Sequence, residues 1–398
     1  MSFYSGAPFF GTLILLLLFA LIIGCMERSL RWYNLIVSGV MVVCVLGGNL
    51  TALAYFAGYF LIEWMLVRGY EYIRKKYGRK AAFYRSFVLL SILPLALCKL
   101  CDLPWLKEMN LFQFTGISYL TFRVVQIIIE LYDGTIEEVK ILDFSAFLIF
   151  FPTFSCGPID RSRRFLEDYH NVPGRREYLE RFGIGLQKLV LGAAYKFVFA
   201  DFFYQIMNQF MNRTAGNMVC YAYSYGLYMF FDFAGYSLMA VGTGYMFGIC
   251  VPDNFKKPFI SRDMKEFWAR WHISLSEWFR DFVFSRFMML SMHKKWFKSR
   301  LNGAAAGFLI NMLVMGVWHG LTVHYILYGL YHGILLAVTE IYQKKSKFYK
   351  KYKKKTWYAL ASWGITLNLV MFGFLIFSGH FITCLLYTSP SPRDGLLS

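Results

Sequence analysis

The sequence predicts an all-α protein: a polytopic membrane bundle of about ten spans, with a re-entrant element and an interfacial helix added to them. Only 17% of the 398 residues are charged, whereas soluble domains carry about 25%. Apolar runs of bilayer length recur along the whole chain. Lys and Arg are concentrated in the short segments between these runs, as in cytosolic loops. The net charge of +18 therefore indicates membrane topology rather than nucleic-acid binding.

The predicted spans follow from the length of each apolar run. In chain order they are 7–25, 33–48, 50–67, 86–100, 111–132, 182–211, 218–249, 304–320, 322–342 and 357–377. No basic residue precedes the first run, so it is interpreted as a span and not as a cleaved signal. Residues 1–384 are predicted to form a single integral membrane domain. Residues 385–398, rich in Ser, Pro and Gly, are interpreted as a non-native tail.

The basic segments predict the orientation in the membrane, because such segments remain in the cytosol. These segments are 68–85, 156–181 and 343–356. Counting spans between them is consistent only if 141–155 enters and leaves on the same side. Pro152, Gly157 and Pro158 break this stretch, and non-helical backbone is tolerated at membrane depth where protein surrounds it. We therefore predict a re-entrant element there and an N-terminus outside the cell.

Residues 262–282 combine charged side chains with an apolar stripe. At 100° per residue, seven apolar side chains fall within an arc of about 120°. They are Phe267, Trp268, Trp271, Leu275, Trp278, Phe279 and Phe282. This pattern predicts a helix at the cytosolic interface, with His272 at the edge of the stripe. The tryptophans of this segment and Trp318 are interpreted first as interfacial anchors, with the lining of a tunnel as the alternative.

His319 lies inside the apolar stretch MGVWHGLTVHY, residues 315–325. An ionisable side chain at membrane depth costs about 2.5 to 3.5 kcal/mol on insertion scales, so it normally faces the bundle interior. Burial disfavours the imidazolium, and a neutral ring can accept a proton as a general base. The alternative is a structural histidine bonded to a neighbouring helix. Gly316 and Gly320 permit close backbone approach or a helix break beside it.

Three polar side chains on the next span and one pair of cysteines are the candidate metal ligands. His324, Tyr328 and His332 share one face of the next span, but no carboxylate or thiol accompanies them at ligand spacing. Cys98 and Cys101 form a close pair that lacks further ligands, so we interpret the cysteines as free thiols. We therefore predict no metal site.

Asp232 lies within a predicted span, and a carboxylate in such a position is usually paired. Arg123 is one candidate partner elsewhere in the membrane. Gly235, Gly242 and Gly244 follow Asp232 and predict tight helix packing.

A family resemblance emerges from two motifs read together. The first stretch, residues 231–284, contains FDFAGYSLMAVGTGYMFGICVPDNF and WHISLSEWFRDF, and the second is MGVWHG. Together they resemble the membrane-bound O-acyltransferase family, over a region from about Phe114 to Phe377. The resemblance implies a bundle around a central tunnel, with His319 as the catalytic base and His272 as the second motif histidine. His272 is expected to position the pantetheine or support the tunnel.

Combined with the stretches ISYLTFR and FFPTFSCGPIDRSRRF, the motifs resemble one branch of this family, and the resemblance implies an activity. It is transfer of D-alanine from the phosphopantetheine thioester of an acidic cytosolic carrier protein toward lipoteichoic acid, in the cell membrane of a Gram-positive bacterium. No bound cofactor is expected, since the carrier supplies the phosphopantetheine. A membrane-anchored protein of the same pathway is expected as a further partner. Substrate contacts are predicted for Trp271, Trp318 and His332. The alternatives are a transporter or flippase and a non-catalytic scaffold of a cell-envelope complex.

The segment 282–300 is predicted to dock the carrier. Its apolar residues adapt to a partner surface, and its positive charges attract an acidic one. The residues are Arg286, Phe287, Met288, Met289, Met292, Lys294, Lys295 and Lys298. The alternative is that this segment lies on anionic lipid.

Overall fold

The structure is a computed structural model that describes residues 2–382, except 102, 104, 105, 107, 108, 110, 212 and 213. The described residues form helices and no strand, which confirms the predicted all-α class. The α-helices are α1 Gly6–Cys25, α2 Arg31–Leu46, α3 Leu50–Tyr77, α4 Ala81–Leu100, α5 Ile117–Asp133, α6 Ile141–Ile149, α7 Ser162–His170, α8 Arg175–Ala194, α9 Ala200–Gln209, α10 Ala215–Met246, α11 Met264–Trp268, α12 Ile273–Phe279, α13 Ser285–His293, α14 Arg300–His319, α15 Val323–Lys345, α16 Lys347–Tyr352 and α17 Thr356–Phe377.

Each predicted span lies largely on a helix. Within the described part of the chain, six helical stretches are long and apolar enough to cross a membrane. They are Gly6–Cys25, Leu50–Tyr77, Ala81–Leu100, Arg175–Gln209, Arg300–His319 and Thr356–Phe377. The prediction of a polytopic membrane bundle is confirmed, while the count of ten spans and the orientation stay predictions. The predicted tail, 385–398, lies outside the described residues.

The chain divides into two compact units. The first comprises Met1–Ala194 and Ala234–Asp253, and the second comprises Tyr195–Phe233 and Asn254–Ser398. Helix α5 lies in the core of the first unit: nearly all of its side chains are buried. A helix buried on all sides needs partners for any polar group that it carries.

Arg123 of α5 holds the predicted re-entrant stretch in place. Helix α6 ends at Ile149, and a short 3₁₀ turn, Phe151–Thr153, follows it. The buried guanidinium donates to the carbonyl oxygens of Phe147 (2.7 Å) and Leu148 (3.0 Å), and to the carbonyl and hydroxyl oxygens of Thr153 (2.6 Å each). These bonds satisfy backbone groups that the end of the helix leaves without partners.

Arg123, named above as one candidate partner of Asp232, is not the partner that the structure shows. Asp232 instead forms an ion pair with Lys196 within the second unit. Lys196 lies in a π-helical segment, Tyr195–Phe199, whose local geometry no hydropathy pattern predicts. Arg123 is already occupied by backbone oxygens of the first unit.

Small residues pack α8 closely against the last turns of α10 in the first unit. A Cβ atom added at Gly185 would lie 2.6 Å from the carbonyl oxygen of Gly242, and one at Gly192 would lie 2.6 Å from that of Gly235. Both distances are shorter than van der Waals contact. The tight packing predicted at Gly235 and Gly242 is confirmed.

The predicted interfacial helix over 262–282 is not one helix. In the second unit it is divided into α11 and α12, joined by a turn in which His272 has a φ of +46°. Trp268, Trp271 and Trp278 are buried within the protein, so their interpretation as interfacial anchors is wrong. The apolar side chains of both α11 and α12 pack against protein.

Candidate active site

Helices α14 and α15 form an antiparallel pair that places His319. Gly316 and Gly329 face each other where the two backbones meet. A Cβ atom at Gly316 would lie 2.5 Å from the carbonyl oxygen of Tyr325, and one at Gly329 would lie 2.4 Å from that of Met312. His319 is the last residue of α14, one turn beyond Gly316. The position of its ring therefore depends on this close contact.

Substitution of Gly329 by alanine is expected to force α14 and α15 apart and to destabilise the protein by about 1 to 3 kcal/mol, the usual cost of overpacking. The matched control is Gly364→Ala on α17, where an added Cβ atom meets no atom within 4 Å. This control should be neutral or slightly stabilising, because alanine is the better helix former. Thermal unfolding in detergent would measure both. Equal melting temperatures for the two variants would contradict the proposed contact.

The ring of His319 is half-buried among aromatic side chains. Its centroid lies 4.6 Å from Trp318, 5.1 Å from Phe377, 5.9 Å from Tyr325 and 6.3 Å from Tyr328. The aromatic neighbours restrict its orientation without covering it completely. A general base needs such a setting, since the ring must be held still and must also be reached by a substrate.

His272 lies in the turn between α11 and α12, and its position is fixed by hydrogen bonds to the backbone of that turn. Its positive φ is uncommon for a residue with a side chain. Asn254, itself buried, fixes the turn: its carbonyl oxygen accepts from the Ile273 amide (2.9 Å), and its side-chain oxygen accepts from the amide (3.1 Å) and hydroxyl (2.6 Å) of Ser274. The His272 ring packs edge-on to Phe233 at 4.7 Å. The sequence reasoning did not identify Asn254 as the residue that anchors this turn.

The two motif histidines interact electrostatically. His272 is only 4% exposed. Burial first, and the nearby His319 ring second, lower the pKa of His272 to about 3. His272 is therefore neutral at physiological pH, and its ring can donate or accept a hydrogen bond but carries no charge. The structure thus brings together the two histidines that the motifs singled out.

The residues predicted to contact substrate occupy three different environments. Trp318 is partly exposed and adjoins His319. Trp271 is buried and stacks on Phe267 at 5.7 Å. His332 is 0% exposed and lies against Tyr328 at 4.5 Å. Of the three, Trp318 therefore has the surface that a substrate could touch, while Trp271 and His332 are enclosed by other side chains.

The predicted docking segment carries an exposed apolar patch on and after α13. Met289 and Met292 are exposed, as are Lys294, Lys295 and Lys298. Arg286, Phe287 and Met288 are partly buried. The sequence reasoning missed Trp296 and Phe297, which are exposed and pack with Phe287 at 5.9 and 6.2 Å. The dipeptide WF directly after two lysines was the signal that could have found them.

A model of the membrane-bound O-acyltransferase family matches residues 82–389. The chain belongs to this family, and it is accordingly a membrane-embedded acyltransferase. Both histidine motifs lie within the matched region.

Relatives match over almost the whole chain. A protein of Bacillus subtilis (strain 168) named "Teichoic acid D-alanyltransferase" is 40% identical over 390 residues, which are 95% of this chain and 98% of that protein. A protein of the same name from Streptococcus thermophilus is 41% identical over 94% of each chain. Another from Lacticaseibacillus rhamnosus is 39% identical over 94% of this chain and 96% of its own.

Proposed function

We propose that this protein transfers a D-alanyl group from the phosphopantetheine thioester of an acidic cytosolic carrier protein toward teichoic acid. Membership of the acyltransferase family supports the reaction class. Three relatives that align over at least 94% of their length are named teichoic acid D-alanyltransferases. These names support D-alanine as the acyl group and teichoic acid as the acceptor. The observation that carries the proposal is the half-buried ring of His319, held by aromatic residues and close to the neutral His272.

In this proposal, His319 acts as the general base. Its neutral imidazole accepts the proton of the acceptor hydroxyl while the hydroxyl oxygen attacks the thioester carbonyl. The C–O bond forms, the C–S bond breaks, and the proton passes from His319 to the departing sulfur, which leaves as the pantetheine thiol. The donor is a substrate delivered by the carrier, so the protein needs no resident cofactor.

His272 is a positioning residue in this scheme. It is buried, neutral and fixed by the Asn254 turn. It orients the pantetheine arm or the His319 ring. It does not remove the proton of the acceptor hydroxyl. The acceptor hydroxyl belongs either to the polymer or to a membrane-anchored partner of the same pathway, which becomes acylated as an intermediate.

Mass spectrometry of the reaction products tests the proposal directly. Purified protein would be incubated with a D-alanyl-loaded carrier and with teichoic acid, in the presence and absence of the membrane-anchored partner. We expect the carrier to lose its D-alanyl group and a hydroxyl-bearing acceptor to gain it as an ester. A carrier that binds but stays loaded would support the scaffold alternative. If the protein, reconstituted in vesicles, moves an unmodified substrate across the membrane and forms no ester, this would support the transporter or flippase alternative.

We further propose that the carrier docks on the exposed patch formed by Met289, Met292, Trp296 and Phe297. Three exposed lysines adjoin the patch: Lys294, Lys295 and Lys298. Within the described residues, no carboxylate forms an ion pair with these lysines. Positive charge that the protein itself does not neutralise favours an acidic partner.

Reversal of charge at Lys294 and Lys295 to glutamate is expected to weaken carrier binding by about tenfold or more, because close interfacial charge pairs typically contribute about 1.5 kcal/mol or above. The matched control is Lys344→Glu with Lys345→Glu, which changes the net charge equally at the exposed end of α15. Titration of the carrier in a neutral detergent would measure both, since lipid charge is then absent. Unchanged affinity in the first double variant would rule out this docking surface.

A further inference from the structure

A groove in the second unit, away from His319, has the features of a lipid site. It lies between α15, α16 and α17 and has a volume of about 720 Å³. One wall is apolar and consists of Leu335, Val338, Ile365 and Leu369. Ile365 is 63% exposed on α17, a helix of membrane-spanning length. The groove therefore opens beside the exposed apolar surface of a helix that is long and apolar enough to cross a membrane.

The other end of the groove is positively charged. Lys353 and Lys354 line it and are exposed. No carboxylate among the described residues pairs with them. They belong to the stretch 343–356, which contains eight lysines and no acidic residue. This end of the groove has positive charge available for an anionic group.

The acidic residues of the groove have partners within the protein. Asp263 accepts from the amides of Lys265 and Glu266, at 2.9 Å each, and from the side chain of Gln343 at 2.9 Å. Glu266 forms an ion pair with Arg270 at 2.7 Å. The bond from Gln343 joins Asp263 to α15, and the charge of Glu266 is paired locally with Arg270. These two carboxylates do not cancel the charge of the two lysines.

Aromatic side chains lie between the charged and the apolar ends. Tyr342 and Tyr358 are joined by a hydrogen bond of 3.2 Å, and Trp357 packs on Phe348 of α16 at 6.1 Å. Tyr349 of the same short helix packs on Tyr358, also at 6.1 Å. Tryptophan and tyrosine are enriched where headgroups meet hydrocarbon. The lysines, the aromatic side chains and the apolar wall therefore match, in this order, the phosphate headgroup, the interfacial region and the acyl chains of a phospholipid.

We propose that this groove binds an anionic glycerophospholipid. Its phosphate interacts with Lys353 and Lys354, and one acyl chain lies along Val338, Ile365 and Leu369. A soluble phosphate compound would use the lysines but leave the apolar wall empty, so the wall favours a lipid. The site is separate from acyl transfer, and the proposal stands whether or not the protein transfers D-alanine.

Native mass spectrometry of the detergent-purified full chain tests this proposal. The protein would be titrated with dioleoyl phosphatidylglycerol, with dioleoyl phosphatidylcholine and, as a soluble competitor, with glycerol 3-phosphate. We expect phosphatidylglycerol to be retained preferentially and glycerol 3-phosphate not to displace it. Equal retention of the two lipids would overturn headgroup recognition. Displacement by glycerol 3-phosphate would overturn the lipid assignment in favour of a soluble phosphate.

Two variants locate the site. Lys353→Glu with Lys354→Glu should lower phosphatidylglycerol retention by more than about tenfold, since each lysine near an anionic headgroup contributes about fivefold. Ala361→Phe fills the groove from α17. It should lower retention of phosphatidylglycerol by blocking the acyl chain, without changing the charge of the protein. The matched control is Lys350→Glu with Lys351→Glu, on the same basic segment but outside the groove. Retention lowered equally by the control and the lysine variant would overturn the site, since general charge attraction would then explain binding.

Discussion

Replacement of His319 by alanine is expected to lower D-alanyl transfer by about 10²- to 10⁴-fold, the usual contribution of a positioned general base. Carrier binding should persist, because the proposed docking surface on α13 does not include His319. Single-turnover transfer from a loaded carrier would measure the chemical step, and a carrier titration would measure binding. His319→Gln, which retains a polar side chain but offers no base of comparable strength, should lose activity to a similar extent.

The control for this prediction is His324→Ala. His324 is also a partly exposed imidazole and lies five residues further along the chain, where it hydrogen-bonds the Thr322 hydroxyl at 3.2 Å. Its removal should leave transfer nearly unchanged. Full turnover by folded His319→Ala protein would exclude the proposed base chemistry. If the two variants have similar melting temperatures and only His319→Ala loses transfer, the alanine at 319 acts on the chemistry and not on folding.

Replacement of Arg123 by methionine is expected to have the largest effect on stability. The guanidinium satisfies the carbonyl oxygens of Phe147, Leu148 and Thr153. A buried acceptor left without a donor costs about 1 to 3 kcal/mol, so the loss of all three is comparable with the entire stability of many proteins. We expect little monodisperse protein after extraction, and a strongly lowered melting temperature in what remains.

Two further substitutions separate this effect from a general effect of charge. Arg123→Lys keeps the positive charge but replaces the planar fork by a single ammonium, so it should recover only part of the stability. Arg176→Met removes an arginine whose side chain is 95% exposed, and it should change stability by less than about 0.5 kcal/mol. Size-exclusion profiles and thermal unfolding would compare the three. A stable, monodisperse Arg123→Met protein would contradict the structural role of this residue.

The histidine motifs illustrate how far sequence reasoning extends at the candidate site. His319 and His272 were singled out because ionisable groups are costly in an apolar setting and because two motifs occur together. The geometry that relates them was not predictable. It depends on the turn at His272, which Asn254 fixes from eighteen residues away, and on a backbone contact between Gly316 and Gly329.

The failed predictions arose where a local pattern had to stand in for tertiary contacts. A single interfacial helix over 262–282 was expected because periodicity assumes an unbroken helix, and the positive φ of His272 interrupts it. Arg123 was a candidate partner of Asp232 because both are ionisable groups in apolar segments. In the structure, Arg123 binds backbone oxygens and Asp232 pairs with Lys196. Composition can indicate that a buried charge needs a partner, but it cannot choose among the available ones.

The sequence by itself determined the helical membrane class, the location of the apolar segments and the identity of the two motif histidines. These properties are local: a bilayer requires each span to be apolar over a set length and to satisfy its own backbone hydrogen bonds. The tertiary structure alone decided which groups meet, including the partners of Arg123 and Asp232, the half-buried state of His319, and the groove beside Lys353 and Lys354. Such contacts join residues that are distant along the chain, and their selection depends on packing geometry that no local pattern contains.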